Sequence, residues 1–173
     1  MTEEEWWACE ETATMMIFLG RRLPHRQREL FFCGVFRLFW NDLSDDCYRR
    51  YCEVKERFAD GQASEEEMEA ANQATAGRPP AFDGAGDRAD TPKRETNLLR
   101  HIVGNPFRPY TAPASWPKAV VELAQALYEG TGDRLILADA LEEAGHQDLA
   151  QHFRAEEWHM KGCWVVDVIL GKR

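Results

Sequence analysis

Histidine and cysteine side chains near the carboxyl end of the chain have spacings that could serve a metal ion. His152 precedes His159 by seven residues, and His159 precedes Cys163 by four. Imidazole nitrogen and thiolate sulfur are preferred ligands of zinc, and residues so spaced lie near one another on a helix. A complete site needs a further ligand, which Cys9 or His146 could supply only through the tertiary fold. The alternative interpretation is that these residues serve packing or lie at the surface.

Cys163 could instead be a nucleophile, with His152 or His159 as its base and Asp167 close by in sequence. Catalytic partners are normally brought together by the fold and not by adjacency in the chain. Nothing in the segment GCWVVD supplies the positive charge that lowers the pKa of a thiol. We therefore interpret this segment as a buried apolar wall, and we predict no catalytic residue.

Asp139, Glu142 and Glu143 are spaced so that Asp139 shares a helix face with either glutamate. Two such carboxylates could act as a general acid and base or bind a divalent ion. Carboxylates at this spacing are more often solvated or paired with arginine and lysine. A metal-dependent hydrolase that uses Asp139 with the histidines and the cysteine is the alternative functional hypothesis.

The stretch HIVGNPFRPY places Arg108 between Pro106 and Pro109 in an extended segment. A guanidinium on such a restricted backbone suits the binding of a carboxylate or phosphate from a ligand. The alternative is a structural brace, in which Arg108 pairs with an acidic residue of the C-terminal helices while Phe107 and Tyr110 anchor the loop. These three side chains are our candidate binding residues in the loop.

Tryptophan is frequent in this chain, and it contributes large contact areas both in cores and at interfaces. We expect Trp40 and Trp164 in the core. Trp6 and Trp7 are better candidates for an interface, because adjacent helical positions cannot both face one core.

Composition limits the classes of partner. The chain has 173 residues, 44% of them hydrophobic, and a formal net charge of −9. That content can form a packed core, whereas the negative charge disfavours nonspecific binding to nucleic acid or an anionic membrane. The local basic stretch KRETNLLRH leaves nucleic-acid binding as a minor hypothesis. A basic protein partner fits better, and the sequence does not fix an oligomeric state.

The acidic start MTEEEWWACEE is unlike a secretory signal, and no apolar run approaches the roughly 20 residues of a membrane span. We therefore expect a cytoplasmic protein. Five cysteines without a CxxC pair argue against a disulfide framework and predict reduced, partly buried thiols. No cofactor is expected.

Hydrophobic periodicity predicts an all-α fold, a bundle of short helices in two halves. The N-terminal half covers residues 1–76 and the C-terminal half residues 93–173. Residues 77–92, GRPPAFDGAGDRADTP, are predicted to be a flexible linker because they have few large apolar groups to bury. The final segment CWVVDVIL reads as a strand by its valines or as a helix ended by Gly171, and we favour the helix. The predicted helices begin near Thr2, Thr12, Arg26, Ser44 (as N-cap), Ser64 (as N-cap), Lys93, Ser115 (as N-cap), Asp133, Asp148 and Cys163.

The elements TEEEWWAC, HIVGNPFRP, LILADALEEAG and GCWVVDVILGK together resemble an uncharacterised family of bacterial proteins. ADALEEAG is also similar to an element of a small repeat-companion domain found beside many bacterial modules. The resemblance covers both halves but implies no activity, cofactor or site residue. The chain departs from the family pattern at His101, where aspartate is usual, and at His146, where cysteine is frequent. With the acidic charge, the resemblance favours a non-enzymatic protein-interaction or adaptor module.

Overall fold

The fold is all-α, as the sequence predicts. A computed structural model describes residues 1–83, 90–156 and 158–172. Within these ranges every regular element is a helix, apart from a single antiparallel bridge between Leu43 and Phe82. None of the described helices combines the length and the apolar character needed to cross a membrane.

The chain divides into two compact units, Met1–Ile102 and Val103–Arg173. The sequence places the division at residues 77–92 instead. The difference arises because the helix after that segment packs within the first unit, so the boundary follows this helix and does not precede it.

In the described part of the first unit there are six α-helices of 6 to 14 residues, and isolated helices below about 12–15 residues are marginal in water. Their apolar sides meet around fully buried side chains such as Trp6, Met15, Leu30, Leu43 and Leu98. The helices are α1 (Glu3–Ala8), α2 (Thr12–Leu19), α3 (His25–Leu38), α4 (Asp46–Ala59), α5 (Glu65–Thr75) and α6 (Thr91–Val103).

Ion pairs join α3 to α4. The Arg37 guanidinium donates two hydrogen bonds of 2.9 Å to the Glu56 carboxylate, a paired geometry that also fixes orientation. Arg26 lies 3.1 Å from Asp60, and both side chains are withdrawn from solvent. Because a buried charge without its partner is costly, these pairs specify how the two helices align.

Helix α6 contacts the N-terminal helices of the same unit. Arg100 donates to the carbonyl oxygens of Trp6 at 2.8 Å and of Cys9 at 2.5 Å. Gly34 allows α3 to approach α6 closely, because a Cβ atom there would lie 2.8 Å from the Leu98 side chain. These contacts explain why α6 belongs to the first unit.

The described start of the predicted linker is packed against the first unit. The Asp83 amide donates to the Asp42 carbonyl at 2.6 Å, and the rings of Phe82 and Phe39 meet edge to face at 6.1 Å. Phe82 is the one large apolar side chain of that segment. Residues 84–89, the centre of the predicted linker, lie outside the described residues.

The described residues of the second unit form four helices: α7 (Lys118–Tyr128), α8 (Arg134–Glu143), α9 (Gln147–Ala155) and α10 (Trp164–Leu170). Their common core is apolar and includes Leu137, Leu141, Leu149, Phe153 and Val165, each 0% exposed. The segment CWVVDVIL is helical, as favoured from the sequence, and Gly171 ends it in the left-handed conformation. Burial within this core outweighs the strand preference of its valines.

Two predicted helix caps are wrong. The N-cap of α4 is Asp45, whose carboxylate accepts from the Cys47 amide at 3.0 Å, and not Ser44. The N-cap of α7 is Pro117, and no side chain caps that helix, so Ser115 does not have the predicted role. The capping boxes at Thr2 and Ser64 are confirmed.

Gly104 provides a test of packing in the second unit. Its φ is +71°, and a Cβ atom would lie 2.9 Å from Cδ2 of Trp164. Gly145 has a φ of +86° with open space around it, so G145A is a matched control for backbone strain alone. We expect G145A to lower the free energy of unfolding by about 1–2 kcal/mol, and G104A by about 1–3 kcal/mol more. Urea unfolding measures both, and equal losses would contradict the close contact with Trp164.

Candidate metal site

Three predicted ligands meet in the second unit. His152 lies on α9, His159 lies in the loop that follows it, and Cys163 is the residue before α10. Each offers one ligand atom, and these three atoms lie within 4.8 Å of one another. The closest pair is His152 Nε2 and Cys163 Sγ, at 3.2 Å. The spacing that suggested metal ligation therefore corresponds to real proximity.

His152 is positioned by the packing of the apolar face of α9 against the core. Leu149 and Phe153 face the core and are 0% exposed, and His152 lies beside them at the edge of the same face. Its side chain is 11% exposed. The loop then returns so that His159 contacts the ring of Phe153, with ring centroids 5.2 Å apart. Packing against the core thus holds two imidazoles at one end of α9.

The start of α10 positions Cys163. Gly162 has a φ of +88°, a conformation that turns the chain into the helix and that residues with a side chain rarely adopt. Cys163 is 1% exposed, and its amide donates to the Met160 carbonyl at 3.4 Å. The main chain that carries the thiol is therefore held in this turn. The Trp164 ring packs edge to face with the His152 ring, with centroids 5.7 Å apart.

Both nitrogens of His152 face polar groups. Nε2 faces the Cys163 sulfur, and Nδ1 lies 3.6 Å from Oε1 of Glu156, one helical turn further along the chain. The imidazole is thus held between a sulfur and a carboxylate. The sequence analysis did not single out Glu156, although its spacing of four residues from His152 was a signal that could have identified it.

Chemically, two imidazole nitrogens and one thiolate form a ligand set suited to zinc. Three protein ligands leave one position of a tetrahedral ion for water or another group. A nucleophilic cysteine is less consistent with the geometry, because Cys163 is almost fully buried and a nucleophile must reach its substrate.

The additional ligands and the carboxylate considered from the sequence have other partners. The His146 Nδ1 atom is 2.8 Å from the Tyr110 hydroxyl, and Cys9, in the first unit, donates to the Glu11 carbonyl at 3.5 Å. Asp139 accepts a 2.7 Å hydrogen bond from Arg154. It therefore pairs with arginine and is not one of the grouped ligand atoms.

Arg154 pairs with two of the three carboxylates from which the sequence suggested an acid and base pair. It lies 2.7 Å from Asp139 and 2.5 Å from Glu142. Hydrogen bonds to these two carboxylates raise the pKa of the Arg154 guanidinium. This is the pairing with arginine that the sequence analysis gave as the more frequent role of such residues.

The loop around Arg108 is fastened by its neighbours. The Asn105 side chain accepts from the amides of Phe107 at 2.9 Å and Arg108 at 3.2 Å, which closes a tight turn. Tyr110 anchors the end of the loop through His146, and burial raises the pKa of its hydroxyl. The Arg108 side chain is exposed. The ligand-binding role of Arg108 and its alternative, a pairing within the protein, both stay predictions. The sequence analysis did not identify Asn105.

The two N-terminal tryptophans differ in their exposure to solvent. Trp6 is 0% exposed and Trp7 is 51% exposed. Adjacent helical positions point about 100° apart, so burying one exposes the other. Trp6 is therefore a core residue, and the prediction of a binding role for it is wrong, while Trp7 remains accessible. Trp40 and Trp164, both expected in the core, are only partly buried.

The sequence analysis did not predict a groove that lies between α4 and α5. Its volume is about 520 Å³, within the roughly 300–1,000 Å³ of typical ligand pockets. Tyr51, Val54 and three alanines supply most of its apolar surface, and one wall is the acidic helix α5. The lining residues are Asp46, Cys47, Arg50, Tyr51, Val54, Glu67, Ala70, Ala71 and Ala74.

All five cysteines are free thiols, as predicted. Cys33 and Cys52 are buried between α3 and α4. The hydrogen bond between the two side chains, together with burial, raises the pKa of Cys33 far above its usual range. Such a thiol stays protonated and behaves as a small apolar side chain.

Comparison of the chain with protein-family models, with curated proteins and with solved structures found no match.

Exposure predicts the order in which the cysteines react. Cys163 is 1% exposed, whereas Cys9 is only partly buried. We expect iodoacetamide to modify Cys9 in the native protein long before Cys163, and all five thiols to react in denaturant. Peptide mass spectrometry measures each rate. Rapid modification of Cys163 in the native protein would contradict its burial and favour the nucleophile.

Proposed function

We propose that the second unit is a zinc-binding module in which His152, His159 and Cys163 hold the ion. The observation that carries the proposal is the meeting of their three ligand atoms within 4.8 Å, in a site formed by α9, α10 and the loop between them. Two nitrogens and one sulfur match the ligand preference of zinc over magnesium or calcium, which bind oxygen.

The ion would act as a cross-link. Cys163 directly precedes α10, His152 is on α9, and His159 is in the intervening loop. A zinc ion bound to all three would connect α9, the loop and the start of α10. Because the unfolded chain lacks the site, the binding free energy would add to the stability of the folded unit.

Binding, and not hydrolysis, is the function that the geometry supports. The hydrolase hypothesis uses Asp139 together with the histidines and the cysteine, and Asp139 is held by Arg154. The proposal replaces the expectation that the protein has no cofactor.

Zinc binding is tested with protein purified without added metal and then titrated with Zn²⁺ in competition with a chromogenic chelator. We expect one zinc per chain and a higher unfolding temperature when zinc is bound. H152A, H159A and C163S should each weaken binding by more than the roughly 10–100-fold that loss of an outer-shell partner costs.

The matched controls are H25A and C47S, which remove the same kinds of side chain from the first unit. His25 is largely exposed, and Cys47 belongs to α4. Both should bind zinc as the unaltered protein does. Absence of stoichiometric zinc, or equal losses in the controls and the ligand variants, would refute the proposed site.

A second function, binding of a protein partner, is favoured by the α4–α5 groove. Its wall α5 has the exposed glutamates Glu65, Glu66, Glu67 and Glu69 and no basic residue. Apolar lining beside an acidic wall is complementary to an amphipathic helix with basic flanks. The net charge of −9 opposes a second copy of the same chain as occupant.

This function agrees with the adaptor hypothesis and with the resemblance to elements that accompany other modules. We propose a reducing cytoplasm as the compartment, where free thiols persist.

The groove is tested by placing a photoreactive amino acid at Ala70 or Ala74, and at exposed Gln125 of α7 as the control. Illumination in native extract should cross-link a protein with a basic segment at the two groove positions only. The yield should fall at 1 M salt, where the Debye length is about 3 Å. Equal cross-linking at Gln125, or no effect of salt, would contradict a basic partner in the groove.

A further inference from the structure

Glu156 lies against the nitrogen of His152 that points away from the cysteine. The Oε1 to Nδ1 distance is 3.6 Å, and the side chains of Glu156 and His152 are 26% and 11% exposed. On the opposite side of the ring, Nε2 is 3.2 Å from the Cys163 sulfur. The carboxylate, the imidazole and the sulfur therefore follow one another in a single line of contacts.

The order of these groups has a chemical consequence. A neutral imidazole has one N–H donor and one lone pair, which can exchange places between its two nitrogens. A carboxylate at Nδ1 favours the N–H there, which leaves the Nε2 lone pair facing the sulfur and available to a metal. Metal-binding histidines usually donate their other N–H to a carboxylate or a carbonyl oxygen in this way.

Local structure explains why Glu156 can serve this role. It follows the last residue of α9 and lies four residues after His152, so the two side chains share one face at the end of the helix. Its own backbone is extended, with φ −103° and ψ 130°. The carboxylate therefore lies at the point where the helix passes into the loop that contains His159.

We propose that Glu156 is a positioning residue for the metal site, which fixes the tautomer and the orientation of His152 so that Nε2 is the ligand atom. This inference rests on the proposed zinc-binding function. It adds a fourth residue to the site, one that does not touch the ion.

The experiment compares E156A and E156Q with the unaltered protein. E143A is the matched control, because it removes an exposed carboxylate from α8 of the same unit with the same change in charge. Long-range ¹H–¹⁵N correlation spectra of the zinc-free proteins, labelled with ¹⁵N-histidine, report which nitrogen of His152 has the proton. Chelator competition gives the affinity for Zn²⁺, and urea unfolding of the zinc-free proteins gives their stability.

In the unaltered protein and in E143A, the His152 proton should be on Nδ1. E156A should mix the two tautomers and weaken zinc binding by about 10–100-fold. E156Q retains an acceptor oxygen without the charge. Its tautomer populations and its zinc affinity should lie between those of the unaltered protein and those of E156A. The stability of zinc-free E156A should match that of E143A.

Two results would overturn the inference: an unchanged tautomer in E156A, or a loss of zinc affinity that is fully explained by lower stability of the zinc-free protein. The tautomer spectra need no metal, so they test Glu156 separately from zinc binding. If the unaltered protein fails to bind zinc, the proposed function fails, whereas the spectra still decide whether Glu156 orients His152.

Discussion

The apolar core of the second unit is the constraint on which its other features depend. Its four helices have 7 to 11 residues, and helices of that length are not stable in isolation. They persist because side chains such as Leu141, Leu149 and Phe153 are removed from water, each burial contributing roughly 1.5–3 kcal/mol. The core thus determines which face of every helix points inward, and polar residues can meet only along its edges.

His152, His159 and Cys163 illustrate this dependence. Cys163 belongs to the buried core, and His152 and His159 lie against the core residue Phe153. His152 directly precedes Phe153, and Cys163 directly precedes the helix that contains Val165. When the core packs, these neighbours bring the three side chains together without a dedicated element of structure. The position of the site is therefore a consequence of packing, and its chemistry comes from the residue types at the edge.

The first unit combines apolar packing with charge pairing. Arg37 and Glu56 form two parallel hydrogen bonds between α3 and α4, and Arg26 pairs with Asp60 near the end of α4. Pairs of this kind contribute less to stability than to alignment, because desolvation offsets much of their attraction. Helix α5 packs beside α4 with Met68 as its one buried residue, which leaves the groove between the two helices.

The sequence by itself determined the fold class, most of the helices and the identity of the possible metal ligands. These follow from local rules: apolar residues at helical spacing, capping boxes such as Ser64 with Glu67, and donor types that zinc prefers. The prediction that CWVVDVIL is a helix succeeded for a less local reason, since no other strand was available to pair with it.

Only the tertiary structure decided which candidates meet. Sequence spacing could not show that Asp139 is held by Arg154, or that His146 pairs with Tyr110, because these partners are 15 and 36 residues apart. It also could not show which of Trp6 and Trp7 is buried, or that the unit boundary follows α6. Such choices depend on which faces the core covers, and that is a property of all the packed helices together and not of any one segment.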